Sequence, residues 1–326
     1  MLPGRMTPRI SVVVPSHGRH LRLWWLLNAL AEQSLGHADF EIIVVHDYEG
    51  PELLARLARH PLAAAGRLRY LRVTPGTGSP ARQRNLGWRE ARAPLVAFTD
   101  DDCRPHPDWL RALDRAAGDP QAILQGTTRP DPLETGVFAA PHHRSLRVDP
   151  PDDLGQTCNI AYPRALLERA GGFDERLTAA AGEDTDLALR ARGVGARLVG
   201  VPGALVFHAV EAFSLAAVIR LNFKWQQLPG VVRRHPQLRR RMLLRVFWRP
   251  SHLELPLAIV AAGGAGRRPA LAGLALPYVS RALGLRGPGP RGRLLSAIEL
   301  PGRVAVDLAE IGTLALGSAR HRSLVL

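Results

Sequence analysis

The chain has 326 residues, of which 46% are hydrophobic and 22% are charged. This composition supports a sizeable core, excludes a disordered or fibrous protein, and at this length suits two domains. The two cysteines exclude a disulfide-stabilised scaffold and a cysteine-rich zinc module, and they fit a reducing, cytoplasmic compartment. Residues 1–9 lead through two prolines into a short apolar run, so we expect no secretory signal peptide.

The net charge of +14 is distributed unevenly along the chain. Residues 1–210 hold 25 basic and 24 acidic residues, whereas residues 211–326 hold 18 basic and 5 acidic residues. We therefore place a domain boundary near residue 210. The excess of positive charge after this point suits an anionic surface or nucleic acid as a partner.

The first domain alternates strand-like and helix-like segments. Short β-branched or apolar runs predict strands over residues 10–14, 40–45, 68–73 and 95–98. Apolar residues at helical spacing predict a helix over 21–33. Ser79 and Pro80 are typical of an N-cap and a first helical position, so a further helix should run from there to about Ala91. This alternation predicts an α/β domain with a Rossmann-like, mostly parallel sheet flanked by helices.

Polar segments follow three of the predicted strands. Residues 15–19 follow the first strand, residues 46–48 follow the second, and three aspartates at 100–102 follow the fourth. Ligands of such sheets bind beyond the carboxyl ends of the strands. The sequence therefore predicts that these three segments form a common site.

The three adjacent aspartates need a neutralising partner, because like charges a few ångströms apart repel each other. In an extended segment Asp100 and Asp102 would face the same way, with Asp101 turned aside. Two carboxylates suit a hard cation such as Mg²⁺ or Mn²⁺ that retains positions for phosphate oxygens. The alternative is a solvated acidic turn in which Asp102 caps a later helix.

A second acidic site opens the helical stretch that runs from Gly182 to Arg192. Glu183 or Asp184 could lie over the cleft as a general base, and Gly182 permits a close backbone approach. The alternative is purely structural, because acidic residues in a first helical turn stabilise the helix dipole by roughly 0.3–1 kcal/mol.

Six short motifs together resemble the family 2 glycosyltransferases over residues 9–210. They are Val-Val-Val-Pro at 12–15, Val-Val-His-Asp at 44–47, Ala-Arg-Gln-Arg-Asn at 81–85, Phe-Thr-Asp-Asp-Asp at 98–102, Gly-Gly-Phe-Asp at 171–174 and Gly-Glu-Asp at 182–184. The resemblance implies the GT-A fold and inverting transfer of a sugar from a nucleotide-diphospho-sugar to an acceptor hydroxyl.

The resemblance also implies a set of donor-binding residues. The nucleotide pocket would be lined by Pro15, His17 and Arg19, with Asp47 in contact with the base. Arg82 and Arg84 would lie near the diphosphate, where guanidinium groups suit phosphate oxygens. Asp101 would lie near the ribose or the sugar. Asn159 would lie on the acceptor side, and its alternative is an ordinary turn residue.

The metal and the base are implied in the same way. Asp100 and Asp102 match the DxD pair that holds Mg²⁺ or Mn²⁺, with Asp102 the more direct ligand. His208 matches a histidine that completes the metal or diphosphate site, the alternative being a partly buried histidine with a backbone partner. Asp184 would be the catalytic base and Glu183 its support.

Two departures from the family pattern bear on specificity. His46 stands where the family usually has an acidic residue, so the choice between uridine and thymidine stays open. Residues 224–227 (Lys-Trp-Gln-Gln) do not match the Gln-x-x-Arg-Trp motif of processive members. This difference favours a single-transfer enzyme of the hexosyltransferase type.

The basic region after residue 210 is predicted to be helical. An amphipathic helix is expected over 211–228, and arginines mixed with Trp, Phe and Leu over 233–249 favour a helix at a membrane interface. The alternatives are a solvated helix face and a nucleic-acid surface. The apolar runs 255–266 and 270–279 are shorter than the about 20 residues that span a bilayer, so we expect interfacial, re-entrant or packed segments. A final helix, or two, should cover 294–317.

These expectations define one principal function and two competitors. The principal function is a metal-dependent glycosyltransferase in the cytoplasm, peripheral to the inner face of the membrane, acting on a lipid-linked or cell-envelope glycan acceptor. The second is a sugar nucleotidyltransferase, disfavoured because residues 15–19 hold a single glycine. The third is a non-enzymatic basic protein that binds membrane or, less favoured, nucleic acid.

Overall fold

The structure is a computed structural model that describes residues 7–48, 51–74 and 77–326. The segment before residue 7, on which the prediction about a signal peptide depends, lies outside the described residues. The chain divides into two compact units. The first comprises Met1–Ala139 and His143–Glu211, and the second comprises Ala140–His142 and Ala212–Leu326.

An eight-stranded sheet forms the centre of the first unit. Its strands are β1 (Ile10–Ser16), β2 (Phe40–His46), β3 (Leu68–Arg72), β4 (Leu95–Phe98), β5 (Cys103–Pro105), β6 (Ala122–Pro130), β8 (Ile160–Pro163) and β9 (Arg197–His208). Two further short strands, β7 (His143–Arg144) and β10 (Glu211–Ala212), lie outside this sheet. The order in the large sheet is β3-β2-β1-β4-β8-β6-β9-β5.

Helices flank this sheet. They are α1 (His20–Ala31), α2 (Pro51–Arg59), α3 (Pro61–Ala64), α4 (Pro80–Arg89), α5 (Trp109–Ala116), α6 (Arg164–Ala170) and α7 (Glu183–Gly193), with short 3₁₀ helices at Pro132–Ala139 and Thr157–Asn159.

The central strands are parallel and fully buried. Val12 of β1 lies opposite Ile42 of β2 and Ala97 of β4, and every residue of these three strands is buried. Continuous apolar strands of this kind need cover on both faces, which the helices supply. The predicted α/β architecture, with a mostly parallel sheet flanked by helices, is confirmed. Strands β8 and β5 run antiparallel to their neighbours.

The predicted elements of this unit agree with the structure within a few residues. Helix α4 begins where the Ser79-Pro80 signal predicted, because the Ser79 Oγ atom accepts a hydrogen bond of 3.2 Å from the backbone N–H of Arg82. Such a cap is worth about 1 kcal/mol of stability. The cap fixes the start of a helix whose next turn carries Arg84.

The second unit is helical. Its helices are α8 (Leu215–Asn222), α9 (Leu228–Arg234), α10 (Ser251–Gly264), α11 (Leu276–Leu283) and α12 (Pro290–His321), with 3₁₀ helices at Phe223–Gln227, Pro236–Arg241 and Pro269–Ala275. Within the described ranges, we find no helix with both the length and the apolar character needed to cross a bilayer.

Two predictions for this unit were wrong in detail, and the prediction of a final helix was confirmed. The amphipathic helix over 211–228 is broken into a short strand, α8 and a 3₁₀ turn. The arginine-rich stretch 233–249 is not one helix, because proline at 236 ends α9 and the backbone at Leu244 and Arg245 has positive φ. The last predicted segment is one helix, α12, which continues through Pro301.

Candidate active site

The pairing of β5 with β9 brings an aspartate next to a histidine. Cys103 lies opposite His208 in this antiparallel register, and the backbone N–H of Ala209 donates to the carbonyl of Asp102 at 2.9 Å. The Asp102 Oδ1 atom consequently lies 3.7 Å from Nε2 of His208. Two residues separated by more than one hundred positions are thus joined through the sheet.

The three consecutive aspartates have different sets of partners, although Asp101 and Asp102 share one arginine. Asp100 accepts from Arg84, Asp101 accepts from the end of β1, and Asp102 pairs with Arg19 and faces His208. The expectation that Asp100 and Asp102 share one direction assumed an extended segment. It was wrong because the chain turns at residues 101–102 before β5 begins.

Asp101 and Asp102 share the guanidinium of Arg19. The Arg19 Nη1 atom lies 3.4 Å from Asp101 Oδ1 and also pairs with Asp102, while Nη2 lies 3.5 Å from Glu211. The Asp101 carboxylate further accepts from the Ser16 hydroxyl at 2.9 Å. Burial, together with the charge of Asp102, raises the pKa of Asp101 to about 7 despite these partners.

Arg84 joins the aspartate turn to the start of α7. Its Nη2 atom donates to Asp100 at 2.8 Å and its Nη1 atom donates to Glu183 at 2.9 Å, with the guanidinium buried. The two carboxylates raise the pKa of Arg84 further above its ordinary value, overcoming the effect of burial. The two acidic segments predicted to converge therefore lie on either side of one arginine side chain.

Helix α7 presents two acidic residues with different surroundings. Gly182 precedes it with φ of 89°, a conformation that favours glycine and turns the chain into the helix. The Asp184 Oδ1 atom accepts from the backbone N–H of Thr185 at 2.7 Å, and Asp184 is partly exposed whereas Glu183 is buried. Burial, and then the negative charge of Glu183, raises the pKa of Asp184. Glu183 Oε2 is buried and has no hydrogen-bond partner in the described part of the chain.

The ends of β1 and β2 meet at a histidine–aspartate pair. Nδ1 of His17 lies 2.7 Å from Oδ1 of Asp47, and the His17 side chain is 84% exposed while Asp47 is buried. Pro15, two residues before His17, is buried within β1. At the end of β2, burial lowers the pKa of His46. The pair offers an exposed ring and a fixed carboxylate at the edge where sheet ligands bind.

The surroundings of Asp102 fit a divalent cation. Its Oδ1 atom is buried and has no hydrogen-bond partner among the residues that the structure covers. Ligand atoms of Asp102, Cys103 and His208 all lie within 4.8 Å of one another. Burial raises the pKa of the Cys103 thiol well above its ordinary value, so it stays protonated and is a poor ligand. A carboxylate suits Mg²⁺ or Mn²⁺, whereas an imidazole is typical of transition metals, so the pair suits Mn²⁺ better than Mg²⁺. Asp100 lies outside this group.

Two predicted donor or acceptor residues, Arg84 and Asn159, are placed differently from the expectation. The Arg84 guanidinium is buried between two carboxylates, so it offers no free face to a diphosphate. Arg82 is exposed on the same helix. The buried amide of Asn159 donates at 2.8 Å to the carbonyls of Thr127 and Ala204 and accepts from Trp109 at 2.8 Å. Asn159 therefore ties β6 to β9 and is not part of the site.

Several residues that organise the site were not predicted. The Gln83 amide donates to the Ser16 carbonyl at 3.1 Å, and Ser16 in turn binds Asp101. Asn85 holds the Gly-Gly-Phe-Asp turn through bonds of 2.9 Å with both the N–H and the carbonyl of Phe173. The position of Ser16 at a strand end was a usable signal. Glu211, which contacts Arg19, had none, since only the fold brings it there.

The chain is similar in sequence to known glycosyltransferases. Residues 11–170 match the sequence model of the family described as Glycosyl transferase family 2. The chain is 28% identical over 232 residues to Validoxylamine A glucosyltransferase of Streptomyces hygroscopicus subsp. limoneus, covering 60% of this chain and 50% of that protein. It is 32% identical over 177 residues to Pre-mycofactocin glycosyltransferase of Mycobacterium tuberculosis (strain ATCC 25618 / H37Rv), covering 50% and 37%. The chain thus spans about half the length, or less, of these curated relatives.

A solved structure extends the likeness beyond the family match. The mannosyltransferase PcManGT from Pyrobaculum calidifontis, solved in complex with GDP-Man and Mn²⁺, superposes with a TM-score of 0.58 at 21% identity. The alignment covers 98% of this chain and 89% of that chain. At this level of identity the likeness shows a shared fold.

Proposed function

Since the chain belongs to glycosyl transferase family 2 and has the GT-A fold, we propose that it is a metal-dependent, inverting glycosyltransferase of the hexosyltransferase type. It would move one sugar from a nucleotide-diphospho-sugar to an acceptor hydroxyl. The observation that carries the proposal is the Arg84 side chain. It bonds to Asp100 on one side and Glu183 on the other, so the turn after β4 and the start of α7 form one site.

Donor binding would use the carboxyl ends of β1 and β2. The exposed ring of His17 and the Asp47 carboxylate that pairs with it would contact the nucleotide base, and Pro15 in β1 would line the same pocket. Asp101 would bind the ribose or the sugar, since a carboxyl group accepts or donates hydrogen bonds to hydroxyls. Arg19 would contact the diphosphate, and exposed Arg82 is available to it as well.

Asp102 and His208 would hold the divalent cation, and PcManGT with bound Mn²⁺ supports a metal in a protein of the same fold. When bound, the cation supplies positive charge that stabilises the departing diphosphate. Asp100 belongs to the matched DxD pair, and its contact with Arg84 makes it a support of the turn rather than a direct ligand.

Asp184 would remove the proton from the acceptor hydroxyl. It is partly exposed at the start of α7, and its raised pKa makes it a stronger base than an ordinary aspartate. Glu183 would position Asp184, because Glu183 is the preceding residue in the chain and is itself held by Arg84. Attack on the face opposite the leaving diphosphate then inverts the anomeric carbon in one displacement, with no covalent enzyme intermediate.

The products of the reaction test this function. The purified chain would be incubated with a panel of nucleotide-sugars, Mn²⁺ and a candidate acceptor, and the nucleotide products would be separated. We expect nucleoside diphosphate released only when the metal is present. Release of pyrophosphate would instead identify a sugar nucleotidyltransferase. Absence of metal-dependent binding to any nucleotide-sugar would identify a non-enzymatic binding protein.

We propose the class of acceptor and the location of the protein from the positive charge of the second unit. Its positive charge supports peripheral contact with the anionic inner face of the cytoplasmic membrane, where lipid-linked or cell-envelope glycan acceptors are presented. A panel of lipid-linked and soluble acceptors tests this part separately. Transfer to soluble acceptors alone would exclude the lipid-linked class.

A further inference from the structure

Helix α12 is apolar on its exposed face. Ten residues between Leu294 and Ala319 are exposed, and none of them has a polar side chain. Nine of the ten lie within about 60° of Leu294 around the helix axis. The most exposed include Leu294, Ile298 and Leu316, at 63%, 67% and 61%. They form one stripe roughly 37 Å long.

The buried face of the same helix is largely polar. Five of its eight buried residues are polar or charged, among them Asp307, Glu310 and Thr313. Asp307 accepts from the hydroxyl of Tyr278 at 3.0 Å, and Glu310 pairs with Arg249 at 3.1 Å. A helix that folds onto its unit in water normally buries its apolar face. In α12 this arrangement is reversed, so the outer face suits apolar surroundings.

Helix α10 of the same unit shows the same pattern. The exposed residues of α10 include Ile259 and Val260, and no exposed residue of this helix is polar. In the 3₁₀ helix that follows, the exposed residues are likewise apolar, and Leu276 is 67% exposed just after it. Large apolar surfaces of this kind mark sites of contact with a membrane or with another protein.

The charges of this unit favour a membrane over a protein partner. Each of its four acidic residues pairs with an arginine of the same unit, namely Glu254, Glu299, Asp307 and Glu310. Exposed arginines bracket the stripe, with Arg291 and Arg293 before it and Arg320 after it. Arginines at the ends of an apolar stripe can reach lipid phosphates while the stripe lies among the acyl chains.

We propose that the apolar face of α10 and α12 (the α10–α12 face) rests on an anionic membrane, with the arginines at both ends of α12 bound to lipid phosphates. This inference specifies the surface of the membrane contact proposed above. It replaces the arginine-rich stretch 233–249 as the main contact, and it is independent of the transfer reaction.

Vesicle flotation of the full chain tests the α10–α12 face. The variant I298E/L316E introduces two charges at exposed positions of the stripe. The control L133E introduces one glutamate at a leucine of the first unit that is 81% exposed. Vesicles containing phosphatidylglycerol are compared with vesicles of phosphatidylcholine alone. Far-UV circular dichroism and thermal melting check that each variant folds, and donor binding in solution without vesicles reports on the active site separately.

We expect the parent and L133E to float with phosphatidylglycerol vesicles. We expect I298E/L316E to bind these vesicles at least about tenfold more weakly. Donor binding should be the same in all three. Equal flotation of I298E/L316E and the parent would overturn the proposal. The proposal would also be overturned if the parent stays in the soluble fraction and elutes as a dimer, while I298E/L316E elutes as a monomer. A second copy of the chain would then cover the α10–α12 face. If the parent does not bind any nucleotide-sugar, this result would count against the proposed function and not against the membrane contact.

Discussion

The Arg84 Nη1 atom lies 2.9 Å from Oε1 of Glu183, although ninety-nine residues separate them in sequence. Both side chains are buried, and the same guanidinium holds Asp100 at 2.8 Å. A buried arginine between two carboxylates is a structural requirement of the site. Removing one member leaves uncompensated charge inside the protein, which is far more costly than losing an exposed ion pair.

Replacing Arg84 with glutamine should therefore destabilise the protein by about 3–5 kcal/mol, because Asp100 and Glu183 would lose their shared partner. Chemical denaturation measures this loss. Arg82→Gln is the matched control on the same helix, and it should change stability by less than about 0.5 kcal/mol because Arg82 is exposed. Similar stabilities for the two variants would contradict the bridging role.

Asp184→Asn should abolish sugar transfer while leaving donor binding intact. The amide cannot take the acceptor proton, and loss of a general base lowers rates by about 10²–10⁴-fold. Turnover and calorimetric donor affinity would be measured side by side. Asp153→Asn serves as the control, since its side chain is 59% exposed and pairs with Arg192. Near-normal turnover in Asp184→Asn would refute the assignment of the base.

The pH dependence of transfer should follow the pKa of Asp184. The base acts when deprotonated, so the rate should rise with pH, with an acid limb above the ordinary pKa of an aspartate. Glu183→Gln removes a negative charge that raises this pKa, so the limb should shift to lower pH. Rate profiles of the parent and this variant provide the measurement. An unchanged or upward-shifted limb would show that Glu183 does not tune the base.

Metal binding should depend on Asp102 and His208. Asp102→Asn and His208→Ala should each weaken Mn²⁺ affinity by at least about tenfold, because even outer-shell changes at metal sites cost this much. Calorimetric titration with Mn²⁺ alone gives the affinities. Asp108→Asn, at an exposed position nearby in sequence, is the control. Equal Mn²⁺ affinity across these variants would show that the cation does not bind at Asp102 and His208.

Gly172→Ala should destabilise the turn that precedes α7. Gly172 has φ of 65°, and an added Cβ atom would lie 2.6 Å from Oδ1 of Asn85 and 2.9 Å from the Trp88 ring. We expect a loss of about 1–3 kcal/mol. Gly118→Ala, where an added Cβ meets nothing within 4 Å, should be nearly neutral. Equal unfolding free energies of the two variants would contradict the packing.

Strands β1, β2 and β4 could be predicted from the sequence because they are largely apolar runs that begin at Ile10, Phe40 and Leu95. Strands β5, β6, β8 and β9 of the same sheet were not predicted. The convergence of the strand ends followed from the same topology. Local sequence also marked the start of α4, since Ser79 and Pro80 carry their own capping geometry.

The directions of individual side chains at the site could not be predicted. Asp100 and Asp102 diverge because the backbone turns between them, and this turn is set by the pairing of β5 with β9. Arg84 and Asn159 carry groups typical of ligand binding, yet both are buried and bonded to partners that only the fold supplies. In the second unit the arginine-rich stretch 233–249 was misjudged as one helix, because the backbone turns at Leu244 and Arg245.

Strand β5 has only three residues, yet its alignment with β9 sets the distance between Asp102 and His208. Because side chains alternate along a strand, a slip of a single position would send Asp102 to the opposite side of the sheet. Arg104 and Phe207 face each other in this ladder and lie outside the proposed cation site. Substitutions that disturb their pairing should therefore weaken cation binding at that site, although both proposed ligands would still be present.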